Sequence, residues 1–153
     1  MMNKRQLKGF TLIEILVVVG LIAILAAITI VAINPAKNFA DTRNTQRSSD
    51  VQQILNAMWQ YAAEPGHAIG DFGAIPLCTA TPAVVSALTS GTPPAGTIGL
   101  YTLLVDTYIA DIPLDPVGGV AANTGYTVCR TAGNRLQIAA PNAENGKTIV
   151  VKK

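Results

Sequence analysis

Glu14 is the only ionisable side chain between Phe10 and Ile33, in a stretch otherwise made almost wholly of aliphatic residues. A carboxylate within a membrane span costs about 2.5–3.5 kcal/mol on insertion scales, so it is normally paired or put to use. Its position at the head of the run leaves two readings. In one, Glu14 lies near the interface, where the cost falls. In the other it awaits a cationic partner, since two opposite charges buried together in an apolar bundle are tolerable where one alone is not.

The remaining candidate groups form weaker constellations. Cys78 and Cys129 could close a loop of about fifty residues, worth roughly 4 kcal/mol in a chain-entropy treatment; the alternative is a pair of unlinked buried thiols. Their spacing fits no zinc motif, which would need two further ligands close by. His67 follows Pro65-Gly66 and reads as a loop residue. Asp111 and Asp115, separated by prolines, read as turn formers. Asn142, Glu144 and Asn145 supply oxygens of the kind calcium takes, but at a spacing that matches no calcium-loop signature. Lys37, Arg43 and Arg47 could touch phosphates of lipid or DNA. A solvated helix face beside a membrane accounts for them equally well, and Asp41 and Asp50 dilute the field. There is no Gly-rich phosphate loop, no histidine pair and no G-x-S-x-G nucleophile setting. The chain is not expected to be an enzyme, and no metal or cofactor is called for.

The elements that would position these groups are legible in the hydropathy pattern. From Ile15 to Ile33 there are nineteen residues without a charge. As a helix this run spans roughly 28 Å, close to a hydrocarbon core of about 30 Å. Helix is the form a single span must take, because every backbone amide needs a partner in lipid. The run exceeds a typical signal-peptide core, and no Ala-x-Ala-like site follows Ile33. Asn34-Pro35 marks the end of the span or a kink in it, Pro35 lacking an amide hydrogen. Residues 36–50 are polar almost all round. Val51, Ile54, Leu55, Met58, Tyr61 and Ala62 then form one apolar helical stripe, stopped by Glu64-Pro65-Gly66. An unbroken helix from Phe10 to Ala63 would be about 80 Å long.

Residues 66–98, rich in Gly, Pro, Thr, Ala and Ser, read as loops, with a short helical turn at Val84–Leu88. Leu100–Ala110 fits a short helix. Tyr126–Arg130, Arg135–Ala140 and Thr148–Val151 alternate as strands between turns. The fold expected is α+β: a long N-terminal helix, half transmembrane and half amphipathic, packed on a small antiparallel sheet of about three strands. The Val51–Ala62 stripe is the surface available to cover that sheet. The net charge of +2 in 153 residues gives no field that would make nucleic acid the main partner.

K-G-F-T-L-I-E, Lys8 to Glu14, resembles the processing site of type IV prepilins and type II secretion pseudopilins. The match comprises the basic leader M-M-N-K-R-Q-L-K-G, the Gly9-Phe10 junction, the glutamate at the fifth position after it, and the long aliphatic run. More loosely, the I-P-L-D-P segment and the G-Y-T-V strand are similar to the G-type major pseudopilins and to small pilins of some Gram-positive bacteria. The resemblance implies a leader at 1–9, a transmembrane and assembly helix at 10–34, an amphipathic half at 35–65, and a variable loop region with the sheet at 66–153. It implies cleavage between Gly9 and Phe10 by a membrane prepilin peptidase, N-methylation of Phe10, and pairing of Glu14 with the N-terminal ammonium of a neighbouring subunit. Gly20, Ala23 and Ala27 share a face on which helices could approach closely.

The partners implied are further copies of the chain in a helical polymer, related minor pilins, the lipid bilayer, and a membrane assembly platform with its ATPase; DNA has only weak support. The chain would be stored in the bacterial cytoplasmic membrane with its C-terminal domain outside. Three basic residues precede the span and Lys37, Arg43 and Arg47 follow it, so the leader and a disulfide, rather than charge, favour that orientation. Pilus and secretion pseudopilus are not separated by these residues. The alternative reading is a membrane-anchored extracellular binding module that does not polymerise.

Overall fold

The computed structural model describes residues 9–153; the basic leader residues Lys4, Arg5 and Lys8 lie outside the described residues. The chain divides into two compact units, with the boundary between Asn38 and Phe39.

In the first unit, Thr11 caps a 22-residue helix, α1, at Leu12–Ile33. At 1.5 Å per residue α1 is about 33 Å long. Among the described residues it is the one helix long and apolar enough to cross a membrane. None of its residues is buried, and it has no polar face, as a helix that crosses a membrane would not. Thr29, its one polar interior residue, turns its hydroxyl onto the Leu25 and Ala26 carbonyls at 3.1 and 2.9 Å.

The end of α1 follows from three residues. Asn34 is left-handed (φ 46°, ψ 72°), a conformation that asparagine tolerates better than most residues. Its Oδ1 accepts the Lys37 N–H at 3.3 Å, as the N-cap of the next helix would. Pro35 opens that helix, α2, at Pro35–Ala63, in the position where a missing N–H leaves nothing unpaired. Asn38 donates its side-chain amide to the Ile33 carbonyl at 3.1 Å, satisfying one acceptor at the C-terminus of α1. In place of one unbroken helix from Phe10 to Ala63 there are two, meeting at a capped left-handed residue.

The second unit is an α+β layer pair. Of the predicted stripe on α2, Val51, Ile54, Leu55, Met58 and Tyr61 are buried and Ala62 is half-buried. The preceding half differs from the all-polar expectation: Ala40, Asn44, Arg47 and Asp50 are buried too. Facing them is a sheet of five strands, β1 (Ala83–Ser86), β2 (Thr97–Gly99), β3 (Thr127–Arg130), β4 (Leu136–Ala140) and β5 (Ile149–Lys152). The order is β2-β1-β3-β4-β5, with β1 parallel to β2 and the other pairs antiparallel. On β4 the alternation is plain: Leu136, Ile138 and Ala140 are buried, Gln137 and Ala139 half-buried. Val85, Val128, Leu136 and Ile138 join the α2 stripe in one apolar core.

The three C-terminal strands stand where alternation put them. The helical turn expected at Val84–Leu88 is instead β1, and β2 also comes from the segment read as loop. Val84 and Val85 are β-branched, but β1 pairs with β3, more than forty positions away in register (Ala83 with Val128), which local periodicity does not register. The helix expected over Leu100–Ala110 is one turn, α3 (Tyr101–Leu104). It stops because Val105 is extended and Asp106 left-handed (φ 71°).

Cys78 and Cys129 form a disulfide. It fastens the irregular segment before β1 to β3, alongside Cys78 N–H to Arg130 O at 2.9 Å and Arg130 N–H to Pro76 O at 2.8 Å. Replacing both cysteines by alanine is expected to lower stability by about 2–4 kcal/mol. Thermal unfolding of the detergent-solubilised chain checks this; an unchanged midpoint would mean that the strand contacts alone hold the segment.

Candidate functional site

Two groups of polar side chains stand out, one in each unit. The first is at the head of α1. The Gly9-Phe10 peptide lies ahead of the helix, whose first backbone bond runs from Ile15 N–H to the Thr11 carbonyl at 3.3 Å. Phe10 is exposed, and the space around Gly9 is open. Glu14 N–H donates to Thr11 Oγ1 at 3.2 Å. The Glu14 carboxylate reaches back to the Thr11 N–H at 3.4 Å and the Thr11 hydroxyl at 3.5 Å. This is a reciprocal capping box, written in the sequence as T-L-I-E and missed when Glu14 was weighed only as a charge. Both carboxylate contacts are long and fall on the same oxygen, Oε2, so they orient the group without using up its acceptor capacity.

The capping box places a carboxylate one residue from the amine that cleavage at Gly9-Phe10 would create. Further along α1, Gly20, Ala23 and Ala27 are exposed. A side-chain carbon built on Gly20 would meet nothing within 4 Å, so the small face is free for another helix to approach. Pro35 stands at the first position of α2, as described.

The second group is the polar half of α2, and it corrects the reading of Arg43 and Arg47 as a solvated face. Arg47 is 1% exposed. Its Nε and Nη2 donate to Asp115 Oδ2 and Oδ1 at 2.8 and 3.0 Å, and its Nη1 donates to Glu144 Oε2 at 2.8 Å. Arg43 pairs with the same Glu144 through Nε at 2.7 Å and Nη2 at 2.5 Å. Asn44 exchanges hydrogen bonds with the Glu144 backbone, both at 2.9 Å. Lys147 pairs with Asp41 at 3.0 Å. The Tyr126 hydroxyl donates to Asp50 at 2.6 Å. Asp115, read as a turn former, also accepts the Val117 N–H at 2.8 Å, and so shapes its turn and neutralises Arg47 together. Gly125 (φ 86°) backs it closely: a side-chain carbon there would lie 2.5 Å from Asp115 Cβ.

The α2 face thus clamps the Ile112–Gly119 segment and the β4–β5 turn through charge-assisted bonds. The charges are spent on each other. Glu144, one of three oxygen donors of the kind calcium takes, is held by two guanidinium groups. Arg43 and Arg47 hold the Glu144 carboxyl down at about 2 against an ordinary 4.5. Asp115 and Glu144 raise the Arg47 pKa, against the opposing effect of burial. Burial raises the Asp50 pKa, partly offset by the Tyr126 hydrogen bond.

The sign of the pH dependence follows. A depressed folded pKa means that Glu144 adds stability above its unfolded value of 4.5, and that this is lost as pH falls towards about 2. Asp50, with a raised pKa, acts in the opposite sense and offsets part of the loss. Glu144→Gln is expected to lower stability at pH 7 and to flatten its fall between pH 4.5 and 2. Denaturation midpoints across that range check it; a variant whose acid slope matches the parent would contradict the assignment.

The prokaryotic N-terminal methylation motif matches residues 4–30. This is the type IV pilin and pseudopilin signature, and it covers the junction, Glu14 and most of α1. Comparison with curated proteins and with solved structures gives no match. The motif, the apolar N-terminal helix and the Cys78–Cys129 disulfide fit together as features of a pilin-like precursor.

Proposed function

We propose that this chain is the structural subunit of a type IV pilus-like filament or a type II secretion pseudopilus. The observation that carries the reading is a methylation motif whose glutamate sits in a capping box beside the junction, heading a helix with no buried residue and no polar face. The basic leader is removed by prepilin peptidase between Gly9 and Phe10, and Phe10 is then N-methylated. The processed chain waits in the membrane through α1. It then leaves the bilayer by packing α1 against α1 helices of other copies and related minor subunits, driven by a membrane assembly platform and its ATPase.

Glu14 pairs in that bundle with the ammonium of a neighbouring Phe10, which sets the axial register. Gly20, Ala23 and Ala27 supply the close helix approach. The second unit lies outside the cytoplasmic membrane, where the disulfide persists. Antibodies raised against residues 39–153 are expected to decorate filaments sheared from cells along their length. Signal confined to the membrane fraction would favour the non-polymerising anchored module instead. Nucleic acid loses its support at Arg43 and Arg47, whose charges are taken up internally.

A further inference from the structure

Two cations outside the ion-pair network, Arg130 and Lys153, stand in one row across the sheet. Arg130 ends β3, Leu136 begins β4 and Lys153 follows β5. Arg130 is in register with Leu136, and Leu136 exchanges backbone hydrogen bonds with Lys153, both at 3.0 Å. Residues directly opposite in an antiparallel ladder project to the same face. Leu136 is fully buried on the face that α2 covers, so Arg130 and Lys153 flank it on that face, about 10 Å apart across two strand spacings. Both are exposed, and Arg130 lies by the last turn of α2, sharing a cleft with Trp59 and Ala62. Neither forms an ion pair among the described residues.

Arg130 also lines a cleft of about 570 Å³, with Trp59 from α2, His67, and Asn134 of the β3–β4 turn. No acidic residue lines it. Asp71, the nearest carboxylate in sequence, is engaged by the Tyr61 hydroxyl at 3.2 Å and the Ala68 N–H at 2.8 Å, and its Oδ2 lies 3.8 Å from Nδ1 of His67 at the edge of the cleft. The Trp59 indole N–H in the same wall is buried without an acceptor. The cleft therefore combines an unpaired guanidinium, a side-chain amide, an indole and small apolar side chains, with a second cation in the same strand row.

We propose that this cleft binds an acidic polysaccharide, with a uronate carboxylate on the Arg130 fork, a pyranose ring against the Trp59 wall, hydroxyls on Asn134, and a further carboxylate along the chain on Lys153. A guanidinium matches a carboxylate with two parallel bonds, and mixed apolar walls with a few placed polar groups suit a small ordered ligand. Single-stranded nucleic acid fits less well. It is held by successive aromatic platforms along a basic groove, whereas Trp59 is the one aromatic carbocycle among the residues that line this cleft, and Tyr61 is turned into the core against Phe72 at 5.0 Å.

The test uses the full chain in a non-ionic detergent, with polygalacturonate as the probe and neutral dextran and oligo-thymidylate as comparators. Arg130→Gln with Lys153→Gln is expected to weaken polygalacturonate binding at least tenfold. Arg135→Gln with Lys152→Gln removes the same charge from exposed positions of the opposite face and is expected to weaken it less than threefold. Equal losses in the two double variants would reduce the effect to general charge attraction and overturn the proposal. So would the absence of polygalacturonate binding, or tighter binding of oligo-thymidylate.

Discussion

Replacing Glu14 by alanine is expected to leave the chain inserted in the membrane and to abolish its incorporation into filaments. Insertion survives because the nineteen uncharged residues from Ile15 to Ile33 remain, and removing a carboxylate from a span lowers its cost. Assembly fails because each bundled helix would then carry an α-ammonium with no counter-charge. Removing one member of a buried ion pair costs about 3–5 kcal/mol, and a loss of 3 kcal/mol per subunit contact is a factor of over one hundred in association. The capping box supplies the control. Glutamine at the same position can still reach back to the Thr11 N–H, but carries no charge. If Glu14 only caps α1, Glu14→Gln restores filaments. If it pairs with an ammonium, Glu14→Gln fails as alanine does, and filament yield by electron microscopy of sheared material separates the two outcomes.

The second large effect is in the other unit. Arg47→Met is expected to destabilise the chain by about 3–5 kcal/mol, because it leaves the fully buried Asp115 carboxylate without its cation. Arg47→Met combined with Asp115→Leu is expected to recover much of the loss, since an apolar pair of similar volume avoids burying either charge. Glu144 keeps Arg43 in both variants. Denaturant titration of parent, single and double variants reads the coupling. A single variant within 1 kcal/mol of the parent would mean that water reaches Asp115 freely, against its burial.

How far the sequence carried these conclusions differs by element. The α1 span, the Val51–Tyr61 stripe and the three C-terminal strands were legible because each is a local pattern whose period matches its geometry. Strands β1 and β2 were not, because they are three or four residues long and exist through pairing with distant partners. The burial of Arg47 was hidden for a related reason. Arginine in a polar helical stretch looks solvated until Asp115 and Glu144, 68 and 97 positions away, are folded onto it. Glu14 was visible as a charge out of place, and T-L-I-E was equally visible as a cap. The two readings are compatible, since the cap holds the carboxylate beside the junction, where the proposed pairing would use its charge.

The most direct test of the account is the N-terminus of the chain in assembled filaments. Intact mass and N-terminal sequencing of sheared, purified filaments should give a chain that begins at Phe10 and carries one added methyl group, with Cys78 and Cys129 oxidised. Filaments built from chains that still begin at Met1 would contradict it, because Glu14 would then have no neighbouring Phe10 amine with which to pair.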